Sequence, residues 1–357
     1  MRRRFARRAM CGLVGSLVIG AALAATIAGA AAQDAVADFY KGRQVTLYIP
    51  SAVGGGYDAY ARLVGRYIGR YIPGNPTIVP VNMPGAGGEV VVSHLLTSAS
   101  RDGSVIAEVQ PPVITAPLLS VRNGAQFDSQ RLTYLGNASP DDAECWVRSD
   151  APVQSFREMF STSVLMGGGP GGGTIDFPTA ENYILGTKFK IVSGYAGVNE
   201  VLLAVERNEV QGVCGVGLVS MKSEKPSWLD NGFVKMIVQE SVDGRKELNE
   251  AGIPRTGDFA KTPQDRQALA FVYVVRTLGR PFAMPPDMPP ERAAALRSAF
   301  MRALSDKELL AEAQRENLEI DPTSGERTQA IVDGLFKTPP DIIARAKDAL
   351  AVVPGEK

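Results

Sequence analysis

The sequence predicts an α/β protein of two lobes, each a sheet flanked by helices, with a ligand cleft between them. Two observations carry that reading. One pattern occurs twice along the chain, over 45–98 and again over 164–207: strand, glycine-rich loop, helix, strand, small-residue loop, helix. Each glycine loop also follows a strand and feeds a helix. That places it outside the carboxyl end of a parallel strand, where open α/β sheets bind ligands.

The first unit opens on a strand over 45–49, followed by the loop Pro50-Ser51-Ala52-Val53-Gly54-Gly55-Gly56-Tyr57-Asp58. A helix follows, with apolar positions at Ala61, Val64, Ile68 and Ile72. A second strand over 77–81 leads to Asn82-Met83-Pro84-Gly85-Ala86-Gly87-Gly88-Glu89, and the next helix runs from about Glu89 to Ser98. Glycine takes positive φ freely and lets a ligand approach the backbone amides. Helix N-termini add unpaired N–H donors and a partial positive charge. Two such loops side by side form a cradle for a carboxylate without any positive side chain. The competing account is that these glycines only make tight turns; two loops, each with several glycines, favour the cradle. Asp58 is placed to cap the helix that follows, with a ligand contact as its second possible role.

Residues 38–42 read as a lead-in to the first strand. After a turn at Arg101-Asp102-Gly103 come a strand over 104–109 and a loop opened by Pro111-Pro112, which puts Gln110 and Pro111 at the carboxyl end of the strand, where they could line the cleft. A short helix spans 115–119, and strands span 134–136 and 144–147, with the first crossing between lobes near the latter. In the second unit a helix over 155–160 has Ser155 as its cap and a strand covers 164–166. The loop Gly167-Gly168-Gly169-Pro170-Gly171-Gly172-Gly173-Thr174 then feeds a helix over 176–185. A strand over 189–192 leads to the turn 193–199, where Asn199 caps a helix over 200–207; strands at 210–216 and 234–239 follow. Near the end, a helix over 290–304 carries the stripe Ala294, Leu296, Phe300, Met301 and Leu304, and helices over 306–316 and 340–351 close the chain.

With 357 residues, the chain is long enough for one large or two ordinary domains. Its 38 basic and 38 acidic residues balance, but Arg2, Arg3, Arg4, Arg7 and Arg8 precede an apolar run that ends in Ala30-Ala31-Ala32. That layout is an export signal, residues 1–32, with cleavage near Ala32; an uncleaved anchor is the alternative. Without it, 33 basic residues face 38 acidic ones, a net charge of about −5 that gives no footprint for nucleic acid. Two cysteines remain in the exported part, Cys145 and Cys214. Either they form a disulfide, as an oxidising compartment allows, or they are two buried thiols.

The residues for chemistry are sparse. Gly167, Gly169 and Gly172 match a dinucleotide fingerprint, yet Lys188, Phe189 and Lys190 stand where its acidic residue belongs. No Gly-Lys-Ser/Thr loop and no Gly-x-Ser-x-Gly elbow occurs, and the one histidine, His94, lies in mid-helix. One histidine and two cysteines make no metal cluster, and the acidic residues are too dispersed for a glycosidase pair. Enzyme is therefore the weaker class, and no cofactor, metal or catalytic residue is assigned.

One stretch also carries a family signature. The run GGGYDAYARLVGRYIGRYIPGNPTIV, then NMPGAGG, then SRDGSVIA resembles the first domain of the Bug-type solute receptors. These are the periplasmic subunits of tripartite tricarboxylate transporters. The resemblance covers nearly all of the exported chain and is strongest over 45–104. It implies a type II periplasmic binding-protein fold whose chain crosses between lobes twice, the return fitting Arg280-Pro281-Phe282-Ala283-Met284-Pro285-Pro286. The implied division is 33–140 for the first part of lobe 1, 141–279 for lobe 2, and 280–357 for the return to lobe 1.

By that resemblance, one ligand carboxylate is gripped by Ser51, Ala52, Gly54, Gly55, Gly56, Tyr57 and Asp58 with Gly85, Ala86, Gly87 and Gly88. The second lobe adds Gly169, Gly171, Gly172, Gly173 and Thr174, then Tyr195, Gly197 and Asn199. The implied function is a monomeric periplasmic receptor that delivers a small carboxylated organic acid to membrane permease subunits. A sensor subunit on the same fold, or a secreted enzyme, is the alternative. One departure stands out: the family's second-lobe strand often ends in Asp-Asn-x-x-Ser, whereas this chain has Gly215-Val216-Gly217-Leu218-Val219-Ser220. The far end of the ligand is accordingly expected to be less polar, larger or bound through water.

Overall fold

The computed structural model describes residues 34–119, 128–169 and 173–351, so the export segment and the candidate site residues Gly171 and Gly172 lie outside the described residues. In chain order the elements begin with helix α1 (34–40), β1 (Gln44–Ile49), α2 (Gly56–Ile68), β2 (Thr77–Asn82), α3 (Glu89–Thr97), β3 (Val105–Glu108), α4 (Pro111–Leu119) and β4 (Thr133–Asn137). Next come β5 (Glu144–Arg148), β6 (Val164–Gly168), α5 (Asp176–Leu185), β7 (Phe189–Ser193), α6 (Val198–Glu206), β8 (Gly212–Val216), α7 (Leu218–Glu224), α8 (Pro226–Asp230) and β9 (Val234–Gln239). The chain ends with α9 (Lys246–Glu250), α10 (Pro263–Thr277), β10 (Pro281–Met284), α11 (Pro290–Ala303), α12 (Lys307–Arg315), β11 (Thr323–Ser324), α13 (Gly325–Phe336) and α14 (Pro340–Ala351).

These strands form two sheets. One has six strands in the order β11-β4-β10-β3-β1-β2; the other has five, in the order β7-β6-β8-β5-β9. In the first sheet β1, β2 and β3 are parallel, because each is followed by a helix that must return the chain to the same edge. Helix α2 closes one face of this sheet by burying Tyr60, Ala61, Leu63, Val64, Tyr67 and Ile68. Those side chains join Leu47, Ile49, Ile106, Phe282 and Phe300 in one apolar cluster. A second cluster runs from Val91 and Leu95 of α3 through Cys145, Phe177 and Tyr273 to Ile342 and Ala346 of α14, so apolar packing is continuous from one sheet to the other.

The chain passes between the sheets twice, and the two crossings lie against each other. The Ala138 amide donates to the Arg280 carbonyl at 2.8 Å, the Arg280 amide to the Ser139 carbonyl at 3.0 Å, and the Asp141 amide to the Arg276 carbonyl at 2.7 Å. Helix α14 packs on α10 and α5 beside the second sheet and also touches α4.

Several local expectations change. The lead-in is a helix, and α4 begins at Pro111 rather than at 115, since prolines at the first helical positions give up no hydrogen bond. The Ser155 side chain makes no cap bond to its 3-10 turn. Asn199 lies inside α6, whose N-cap is Gly197. On α11 the buried face is Ala293, Leu296, Ala299, Phe300 and Ala303, which leaves Ala294 exposed.

Candidate functional site

At the carboxyl rim of the first sheet, Ile49 and Asn82 are register partners, so the loops after β1 and β2 leave the sheet side by side. The Met83 amide donates to the Ile49 carbonyl at 2.8 Å and locks this arrangement. Gly54 (φ 91°), Gly85 (φ 148°), Gly87 (φ 62°) and Gly88 (φ 97°) all take conformations that side chains disfavour, and Ala86 joins them at φ 44°. Gly88 also faces Gln110, where a Cβ would meet that side chain at 3.2 Å.

Asp58 ties the two loops together. It does not cap α2 from outside; the N-cap is Gly55, and Asp58 sits in the first turn. Its carboxylate accepts from the Gly54 amide at 2.9 Å, Asn82 Nδ2 at 2.8 Å and Arg62 Nε at 2.8 Å, while Asn82 Nδ2 also donates to the Ser51 carbonyl. Burial alone would raise its pKa, but these hydrogen bonds outweigh burial and hold the carboxyl below its usual range. Asp58 thus holds the loop after β1 against the end of β2. The Ser51 hydroxyl is buried and has no protein partner.

The rim carries one charge that the loop sequences did not announce. Arg280, at the second crossing, lies with its guanidinium carbon 4.7 Å from the centre of the Tyr57 ring and 5.0 Å from that of Tyr60. A Cβ on Gly56 would sit 3.8 Å from Arg280 Nη2. The Arg280 Nε atom is buried and unpartnered, and Asp141 stands 3.8 Å from Nη1. Burial pushes the Tyr57 phenol up to about 12, so it stays a neutral hydrogen-bonding group. Glu108, the last residue of β3, is fully buried with neither oxygen bonded; burial raises its pKa well above the usual range although Arg280 opposes the shift.

On the second sheet the two candidate loops also meet. A Cβ on Gly169 would lie 3.2 Å from the Gly197 carbonyl and 3.3 Å from that of Tyr195. Thr174 closes its own loop by donating to the Gly169 carbonyl at 2.7 Å, and its Oγ1 accepts from the Gly169 amide at 3.0 Å. Gly173 takes φ 77° with the Phe177 ring against it. Thus Gly169, Tyr195 and Gly197 come together, whereas Asn199 is carried into α6.

A cavity of about 200 Å3 spans the lobes beside the crossings. Gly56, Tyr60 and Arg280 form one side and Gly217, Leu218, Val219 and Ser220 the other. The divergent stretch after β8 therefore faces the first loop directly. The wall between holds buried acids. Burial, with the nearby Asp142 charge, lifts Glu144 to about 8, and burial lifts Asp142 itself to about 6. Farther in, Glu240 accepts from the Gly215 amide at 2.6 Å and Glu181 from the Tyr273 hydroxyl at 2.7 Å.

Cys145 and Cys214 are joined as a disulfide across β5 and β8. Their sulfurs lie near Glu240, but sulfurs bonded to each other are not thiolate ligands for a metal. His94 is packed edge-on against Tyr48, with Nδ1 2.8 Å from the Ser98 hydroxyl.

No family model matches the chain, and no curated protein matches it. Solved structures do. A TctC solute binding protein from Polaromonas, without ligand, is 19% identical over 86% of this chain and 99% of its own, with a TM-score of 0.67. The fold is that of the two-lobed periplasmic binding proteins. An R. palustris protein with adipate has the same fold at 18% identity, 85% and 97% coverage and a TM-score of 0.57. The periplasmic binding protein BugD shares it at 18% identity, 87% and 98% coverage and a TM-score of 0.55.

Proposed function

We propose that this protein is a periplasmic solute receptor of the Bug type. It binds a carboxylated organic acid between its lobes and hands it to the membrane subunits of a tripartite transporter. The observation that carries the reading is the pair of positive-φ glycine loops lying side by side, the first of them against the Arg280 guanidinium. Amide donors on two helix starts, with one guanidinium, make a site for a carboxylate. The R. palustris relative in fold is described with adipate, which supports that ligand class.

In this reading the export segment 1–32 is cleaved near Ala32. Lobe 1 comprises 33–140 and 280–357, lobe 2 comprises 141–279, and α14 lies across onto lobe 2. The ligand is gripped by Ser51, Gly54 to Tyr57 and Gly85 to Gly88 from lobe 1, and by the loops at Gly169 to Thr174 and Tyr195 to Gly197 from lobe 2. Arg280 joins them from the crossing. No catalytic step is assigned, and the protein acts as a monomer that closes on its ligand by a shift of an open–closed equilibrium.

The test is a thermal-shift screen of the protein from Gln33 onward against mono-, di- and tricarboxylates, aromatic acids and amino acids. A ligand that binds only the folded state must raise the melting temperature. Stabilisation by an acid class supports the receptor; a folded protein unmoved by every acid removes it.

A further inference from the structure

A second concave surface wraps α10, and none of its lining residues belongs to the paired loops or the interlobe cavity. It has two compartments. One, of about 340 Å3, is lined by Ser241, Arg255, Asp258, Arg266 and Tyr273. The other, of about 390 Å3, is lined by Phe271 and Val274 of α10 and by Ile331 and Leu335 of α13. Val242, Gln267 and Ala270 line both, so the two are continuous. Helical spacing accounts for this. Gln267, Ala270, Phe271 and Val274 form one face of α10, and Arg266, Leu269, Ala270 and Tyr273 the face beside it. Ala270 belongs to both faces, and its single methyl keeps the passage open.

The two ends differ in chemistry. Ser241 is 8% exposed, and its buried hydroxyl has no protein partner. Arg255 bonds Asp258 at 3.0 Å. Arg266 makes no ion pair among the described residues and donates from Nε to the Gly257 carbonyl at 3.2 Å. Among the described lining residues of this compartment Asp258 is the one carboxyl, so two guanidinium groups face a single acid. The other compartment is apolar apart from Gln267, Lys337 and Thr338, and Val242, where the two join, is 37% exposed. Exposed apolar surface beside a cation without its own carboxylate and a buried hydroxyl without an acceptor is what a ligand site offers.

We propose that this groove is a second binding site, independent of the cleft, for a small amphiphilic anion, with its carboxylate head at Ser241, Arg255 and Arg266 and an unbranched apolar tail along Phe271, Val274 and Ile331. A carboxylate accepts from the Ser241 hydroxyl and from the outer nitrogens of Arg266, and so supplies the acceptors that the protein does not. The tail replaces water on the apolar floor. Each simpler ligand loses one half of this fit. A short acid leaves the apolar compartment empty, an alcohol of the same length leaves Arg266 unanswered, and a cationic head meets an excess of like charge. The site stands whether or not the cleft is a carboxylate receptor.

The experiment is calorimetry at pH 7 on the protein from Gln33 onward with octanoate, butanoate and 1-octanol. Octanoate should bind, and affinity should rise by up to about fourfold for each methylene added between butanoate and octanoate. Binding of 1-octanol should be about tenfold weaker than that of octanoate. The variant Ala270→Trp fills the passage between the compartments, and Arg266→Glu reverses the charge at the head. Each, checked for an unchanged fold by circular dichroism, should lower octanoate affinity by about tenfold or more. Arg266 is exposed, so its variant carries the test where Ala270→Trp does not fold. The cleft variant Gly87→Val should bind octanoate as the unsubstituted protein does. Binding lost in Gly87→Val but kept in both α10 variants puts octanoate in the cleft and overturns the inference. Equal affinity for 1-octanol, or no binding of octanoate, overturns it as well.

Discussion

The Arg280 guanidinium lies over the Tyr57 ring at 4.7 Å, joining the second interlobe crossing to the first turn of α2. The planar guanidinium donates from Nη1 to the Gly279 carbonyl at 2.8 Å and keeps Nε without a protein partner, a donor an anion can take. Lysine keeps the charge but loses that plane and the fork of donors. The substitution Arg280→Lys should weaken carboxylate binding by about tenfold while the fold survives. Calorimetry with the best acid of the thermal-shift screen checks this, and an unchanged Kd would take Arg280 out of the site.

Asp58 holds the first loop through the Gly54 amide and the second through Asn82. Its carboxyl pKa lies below the unfolded value, so its contribution to stability is present above about pH 4 and fades as pH falls through the folded value. The variant Asp58→Asn should lose on the order of 2 kcal/mol at pH 7 and show a flatter decline of stability with acid. Urea unfolding at pH 7 and pH 3.5 measures both, and equal losses at the two pH values would contradict the linkage.

Gly87 and Gly88 separate ligand access from packing. Both have positive φ, but a Cβ at Gly87 meets nothing within 4 Å, whereas one at Gly88 meets the Gln110 side chain at 3.2 Å. The variant Gly87→Val should fold with a penalty of about 1–2 kcal/mol and lose binding, because its branches cover the amides. Gly88→Val should be the less stable of the two. Melting temperature and ligand titration read the pair, and wild-type affinity in Gly87→Val would remove the second loop from the site.

What the sequence made legible follows from distance along the chain. The repeated strand–loop–helix pattern is local, so β1, β2, α5 and α14 fall where periodicity and glycines put them. Helix α10 was not legible, because Leu269 to Val274 form a nearly continuous apolar run without a clear face, buried by α5 and α14. The place of Arg280 beside the first loop was not legible for a different reason. Its neighbours Tyr57, Tyr60 and Asp141 approach only through the crossing, and no spacing rule in the sequence joins Tyr57 to a residue so far along the chain. The same contact order explains why Asp58 read as a helix cap: the Asn82 bond that occupies it comes from the next strand.

The buried acids make stability fall as pH rises. Burial lifts Glu144 to about 8 in the folded protein, against about 4.3 when unfolded, and burial raises Glu240 as well. A raised acid contributes stability that is complete below its unfolded pKa and is lost as pH climbs through the folded value. Between pH 5 and pH 9 the protein should therefore lose stability, by about 4 kcal/mol from Glu144 as an upper bound. Glutamine mimics the protonated acid at every pH, so Glu144→Gln should flatten that slope while leaving stability at pH 5 nearly unchanged. Melting curves from pH 5 to pH 9 for both proteins test this, and parallel slopes would show that Glu144 is ionised in the folded state throughout.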